Sequence, residues 1–125
     1  MKIRIKGNSI RYRLSQSEVR QLSESGWVTE STVMGPDPSN CLYYELRSKA
    51  GITGLEASFF GTTICLYVPE EDAKGWYRSE QVGFERTYEV APGVHLHLLL
   101  EKDFVCLDNT AEDQSDNYPN PNKAC

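Results

Sequence analysis

The feature that most constrains this chain is a pattern that returns after fifty-four residues: Ile5-Lys6-Gly7-Asn8-Ser9-Ile10 aligns with Phe59-Phe60-Gly61-Thr62-Thr63-Ile64. Tyr12 and Leu14 then meet Leu66 and Val68, Glu18 meets Asp72, Val19 meets Ala73, and Leu22 meets Trp76. After an insertion of three residues Gly26-Trp27 aligns with Gly83-Phe84, and the first offset returns at Leu42/Leu96, Tyr44/Leu98 and Leu46/Leu100. A chain built this way is a degenerate duplication of one strand–strand–helix–strand–strand unit. The pseudo-repeats span 1–49 and 55–107 of a single domain, 1–108, and an acidic, flexible tail is expected over 109–125.

Local chemistry gives each unit its elements. Residues 2–6 and 9–14 alternate apolar with polar, the period of a half-buried strand. Gly7-Asn8 between them suits a two-residue hairpin, where positive φ is needed. That loop sets Lys6 opposite Ser9, Arg4 opposite Arg11 and Lys2 opposite Arg13 on one face, with Ile5/Ile10, Ile3/Tyr12 and Met1/Leu14 on the other. Ser15 followed by Glu18 is a capping box that opens a short helix with Val19 and Leu22 inward, and Gly26 stops it. Strands over 27–34 and 41–49 complete the unit around the Gly/Pro loop of 35–40. In the second unit, strands over 55–60 and 63–68 enclose Gly61-Thr62. A helix then opens at Pro69 on Glu70, Glu71 and Asp72, and strands over 83–90 and 94–107 close the unit.

These elements predict an α+β fold: a duplicated ββαββ unit forming an eight-stranded antiparallel barrel or a strongly curved sheet, with two helices. Closure removes the exposed edges that a flat sheet of this width would leave. In strand order the plan resembles the triphosphate-tunnel fold of the CYTH proteins, another duplicated eight-stranded barrel, whose first strand reads Glu-x-Glu-x-Lys where this chain has Lys2-Ile-Arg4-Ile-Lys6. That resemblance implies a metal-dependent phosphate-processing hydrolase as the alternative function. At the level of sequence, the opening MKIRIKGNSIRYRLSQSEV and the close CLDNTAEDQSDNYPNP resemble a family of small uncharacterised bacterial proteins, which brings no known activity.

Charge narrows the partners. A net charge of −5 is wrong for a general nucleic-acid binder, which needs a basic surface to release counterions. No apolar run is long enough to span a bilayer, and the N-terminus alternates charge with Ile where a signal peptide has an apolar core. The expected location is therefore cytoplasmic, with no membrane or nucleic-acid partner. Cys41, Cys65, Cys106 and Cys125 form no CxxC pair, so neither a zinc ribbon nor a redox motif is expected, and no cofactor.

Within that acidic chain the first hairpin is cationic. Lys2, Arg4, Lys6, Arg11 and Arg13 share one strand face, and Arg4 directly opposite Arg11 is a like-charge pair that costs stability. Carboxylates on neighbouring strands, such as Glu45 or Glu101, or solvent would neutralise it; so would a small phosphate-bearing anion or an acidic peptide held by forked guanidinium groups. The expected binding set is Lys2, Arg4, Lys6, Arg11, Arg13, Glu45 and Arg47, on a binding module without catalytic residues. His95-Leu-His97 with Glu101 places three potential ligands on one strand face, but the incomplete motif does not make a metal site.

Overall fold

The computed structural model describes residues 1–105 and 114–119. Its elements run β1 (Lys2–Lys6), β2 (Ser9–Leu14), α1 (Gln16–Ser25), β3 (Trp27–Val33), β4 (Cys41–Lys49), β5 (Glu56–Phe60), β6 (Thr63–Pro69), α2 (Glu70–Trp76), β7 (Gly83–Ala91) and β8 (Val94–Lys102). The class and the element order are those the sequence predicts. The assembly differs: in place of one eight-stranded antiparallel barrel or curved sheet there are two four-stranded mixed sheets, ordered β1-β2-β8-β7 and β3-β4-β6-β5. The central pairs, β2 with β8 and β4 with β6, are parallel.

The reason lies in the helices. Each one carries the chain from one sheet to the other: α1 leads from β2 to β3, and α2 leads from β6 back to β7. Each sheet is therefore made of the first hairpin of one unit and the last two strands of the other. The registers of the two parallel ladders correspond. Ser9 faces His97 in one parallel ladder and Thr63 faces Tyr43 in the other, so moving the first residue forward by 54 moves its partner back by 54. The insertion is two residues, not three, because Val28 opposes Leu46 as Phe84 opposes Leu100. The equivalent of Trp27 is therefore Gly83, where a Cβ would lie 2.1 Å from the Leu100 carbonyl oxygen and could not be accommodated.

The two sheets meet across one core. Tyr12, Leu14, Leu98 and Leu100 come from the first sheet, and Val28, Leu46, Leu66 and Val68 from the second. Tyr12 stitches them by donating its hydroxyl to the Ile64 carbonyl at 3.1 Å. Burial pushes that phenol well above its ordinary pKa, so it stays a donor. Val19, Leu22, Ala73 and Trp76 from the helices close the end of the core that follows β2 and β6. Glu18 bonds the Ser15 amide at 2.9 Å and also receives the Met1 ammonium, so the helix cap ties down the start of β1. Trp76 is fully buried, edge-on to Phe84 with its indole N–H bonded to the Gln81 carbonyl at 2.8 Å.

The expected tail falls partly outside the described residues. Of 109–125, the stretch 114–119 is described, and it is docked: the Gln16 amide donates to the Asp116 carbonyl at 3.0 Å, and the Tyr118 amide to the Asp103 carbonyl at 2.8 Å. The expected eighth strand over 94–107 ends at Lys102, where Asp103 turns its amide to the Leu14 carbonyl.

Candidate functional site

The inner faces of β1, β2, β8 and β7 are taken up by the core, so alternation turns their other residues outward. Register assembles these into cross-strand rows: Lys2, Arg13, Glu101 and Gly83; Arg4, Arg11, Leu99 and Glu85; Lys6, Ser9, His97 and Thr87. All five predicted cations of the first hairpin thus lie on one outer face, with Arg4 directly opposite Arg11.

Two of the five have carboxylate partners. Lys2 Nζ lies 2.8 Å from Oδ2 of the buried Asp103. Arg11 Nε lies 3.5 Å from Glu101 Oε1 across the parallel ladder. Burial, and next the charge of Arg13, push the Arg11 guanidinium below its ordinary pKa; Glu101 opposes this and Arg4 adds to it. Among the described residues Arg4, Lys6 and Arg13 form no ion pair. Arg4, Lys6, Ser9, Arg11 and Leu99 line a recess of about 120 Å³ between the hairpin and β8. Three cations and a hydroxyl therefore surround one small concavity floored by a leucine.

Glu45 and Arg47 are not part of it. They lie in the other sheet, Arg47 Nη2 3.3 Å from Glu45 Oε2 and its guanidinium 5.0 Å from the centre of the Trp27 ring. Of the two carboxylates named as candidates to offset the Arg4/Arg11 pair, Glu101 lies 3.5 Å from Arg11 and Glu45 lies in the other sheet. His97 turns to Glu85, Nε2 to Oε1 at 3.1 Å, and its Nδ1 lies 3.2 Å from the Thr87 hydroxyl. His95 is exposed opposite Glu89. Among the described residues no three His, Cys, Asp or Glu side chains gather as metal ligands would.

Three residues near this face escaped sequence reading. Asp103, past the end of β8, gave no periodic signal. Glu85 reaches the site only through the β7–β8 pairing. Lys102 occupies an inward position that alternation predicts but charge argues against. It is buried, with Nζ bonded to the Ser79 carbonyl at 2.6 Å and set over the rings of Trp76 and Tyr118.

No helix among the described residues is long and apolar enough to cross a membrane. Among models of protein families, one described as a family of unknown function (DUF7009) matches residues 1–122. No curated protein and no solved structure shows significant similarity to the chain.

Proposed function

We propose, for this chain, which belongs to the family of unknown function DUF7009, that it is a binding module for a small phosphate-bearing anion held on the outer face of the first hairpin. The observation that carries this reading is the convergence of Arg4, Lys6, Ser9 and Arg11 on one recess. Its volume of about 120 Å³ is that of roughly four liquid waters. It suits one phosphoryl group, with the remainder of the molecule lying along β2 toward Arg13 in the next row. Guanidinium forks match phosphate oxygens bidentately, while Lys6 adds a point charge and Ser9 a neutral donor.

The second half of the duplication supports the same reading. The positions equivalent to Lys2, Arg4, Lys6, Arg11 and Arg13 are Glu56, Ser58, Phe60, Cys65 and Tyr67. The second hairpin has the same register without a single cation, so the Arg4/Arg11 repulsion is a cost that this strand pairing does not require. An acidic peptide would use the same face but would depend on Arg13 and Lys2 as much as on the recess. The metal-dependent hydrolase drew on a closed tunnel. Here the strands make two sheets, and the outer face is cationic where that chemistry needs carboxylates.

Thermal shift and calorimetry with orthophosphate and pyrophosphate at low ionic strength test the proposal. Pyrophosphate should raise the melting temperature by mass action, and the rise should shrink as salt is added. Arg4→Ala should remove the effect while leaving the unliganded protein as stable or more so. Equal stabilisation of wild type and Arg4→Ala, or none in either, would overturn the site.

A further inference from the structure

At the end of the molecule away from the helices the two sheets part. Between them lies a second and larger cavity of about 610 Å³. Ile10, Ile64 and Leu96 form its more sheltered lining, and Ala57 and Tyr88 flank it where β5 and β7 approach as sheet edges. Ile5, Phe59 and Val90 stand at its mouth, Phe59 with 72% of its surface exposed and Ile5 with 56%. Among the described residues no charged side chain lines it. The one other lining residue, Ser58, already shares its hydroxyl with Tyr67 at 3.0 Å. Arg86, over the Tyr88 ring at 5.4 Å, spends one N–H on the Leu55 carbonyl at 3.1 Å.

Such a cavity is not demanded by the fold. In the duplication the counterpart of Ala57 is Ile3, which packs against the core from the same position of the other hairpin. The second unit carries the smaller side chain at the place where a space opens. Leaving an aliphatic cleft and a phenylalanine in water is unfavourable, by roughly 25 cal/mol for each Å² that a ligand could cover. The volume falls in the range of about 300–1,000 Å³ in which proteins hold small molecules, and the lining is of the apolar kind such sites have.

We propose that this cleft between the sheets is a second binding site, separate from the anion recess, that takes a single alkyl chain of a small aliphatic molecule. The chain would lie along Ile10, Ile64 and Leu96, and any polar end would remain at the mouth beside Ile5 and Phe59. A protein partner is the weaker occupant, since a stable docking needs about 1,200 Å² of surface and the feature here is concave and small.

Calorimetric titration with alkanoates of increasing length and with decanol, on the full chain, tests this. Affinity should increase roughly fourfold with each methylene until the cleft is filled. Decanol should bind about as well as decanoate, and Arg4→Ala should not change either. Ala57→Ile, which restores the side chain of the other hairpin, should fold as well as wild type and weaken decanol binding at least tenfold. Phe59→Ser serves as a second variant if Ala57→Ile folds poorly, with weaker binding expected. Affinity independent of chain length, binding of decanoate alone, or undiminished binding in the folded variant would overturn the proposal. So would sedimentation as a dimer that Phe59→Ser dissociates, because a second copy would then be what covers the cleft.

Discussion

Arg11 Nε and Glu101 Oε1 sit 3.5 Å apart across the β2–β8 ladder, each shielded from water and neither in a hydrogen bond among the described residues. The pair is close enough to attract and too far to be satisfied. It therefore reads as an arginine held in reserve, whose donors can turn to a better acceptor. Glu101 competes with any anion in the recess. Glu101→Gln should tighten pyrophosphate binding about fivefold, equivalent to roughly 1 kcal/mol, and cost the unliganded protein no more than that. Calorimetry on the two proteins reads the first effect and urea unfolding the second; weaker binding in Glu101→Gln would show that Glu101 helps to shape the site.

Tyr118 holds the described part of the tail. Its ring lies 5.7 Å from that of Phe104 and under the Lys102 ammonium, while its hydroxyl is buried and has no hydrogen-bond partner among the described residues. Tyr118→Phe should leave stability unchanged or raise it slightly, since it removes only an unsatisfied group. Tyr118→Ala should cost about 2 kcal/mol, below the range for a fully buried ring. Burial pushes the phenol up to about 12, against about 10 in the unfolded chain. Between those values the folded state keeps a proton that the unfolded state has lost, so Tyr118 makes stability fall as pH rises there. Tyr118→Phe should abolish that part of the alkaline loss in pH-dependent urea titrations.

What could be read in the sequence was what is decided locally. Gly7-Asn8, the Ser15–Glu18 cap and Gly26, which takes φ 83° and donates to the Leu22 carbonyl at 2.9 Å, each settle their own turn or terminus. The cationic face followed from alternation and one hairpin register. Strand neighbours were not legible, because Leu98 and Leu100 have the same period whether the second neighbour of β8, opposite β7, is a strand of its own unit or β2. Alternation alone therefore gives no means of separating Glu45 and Arg47, polar residues of the other sheet, from the cationic face. Likewise the similarity of Trp27 to Phe84 suggested an insertion one residue too long, while backbone pairing equates Phe84 with Val28.

Lys102 offers a test of how much the core tolerates a charge. Burial lowers its pKa, opposed by Glu80, and its Nζ has the Ser79 carbonyl and two ring faces for company. In the alkaline window below the unfolded value of about 10.4, the unfolded chain holds more protons. Lys102 thus makes stability rise with pH there, opposite in sign to Tyr118. Lys102→Met is one atom shorter and keeps an apolar, flexible stem beside the two rings without the ammonium that now lies over them. It should be neutral or stabilising by about 1 kcal/mol at pH 7 and should flatten the alkaline rise. A loss of several kcal/mol in Lys102→Met would mean that the bond to Ser79 outweighs the cost of burying the ammonium.

The exchange of hairpins between sheets makes the halves mutually dependent. Residues 1–52 contain β1–β2 and β3–β4, which belong to different sheets and share no ladder. Each of these pairs is completed only by the other half, through ladders of six residue pairs for β2–β8 and seven for β4–β6. An isolated two-stranded ribbon is marginal in water, and each half alone would expose Tyr12, Leu14 and Leu46 or their equivalents. Cutting the exposed turn at Gly51 and expressing 1–52 and 53–125 separately should give fragments with no cooperative unfolding transition of the native kind. Mixed in equal amounts they should restore it, with a midpoint that rises with concentration because assembly is now bimolecular. The first fragment has a further option, since the duplication lets a second copy of itself stand in for the missing half. Sedimentation should then find 1–52 as an intertwined dimer where it folds at all. A folded, monomeric 1–52 would contradict the exchanged arrangement of the sheets.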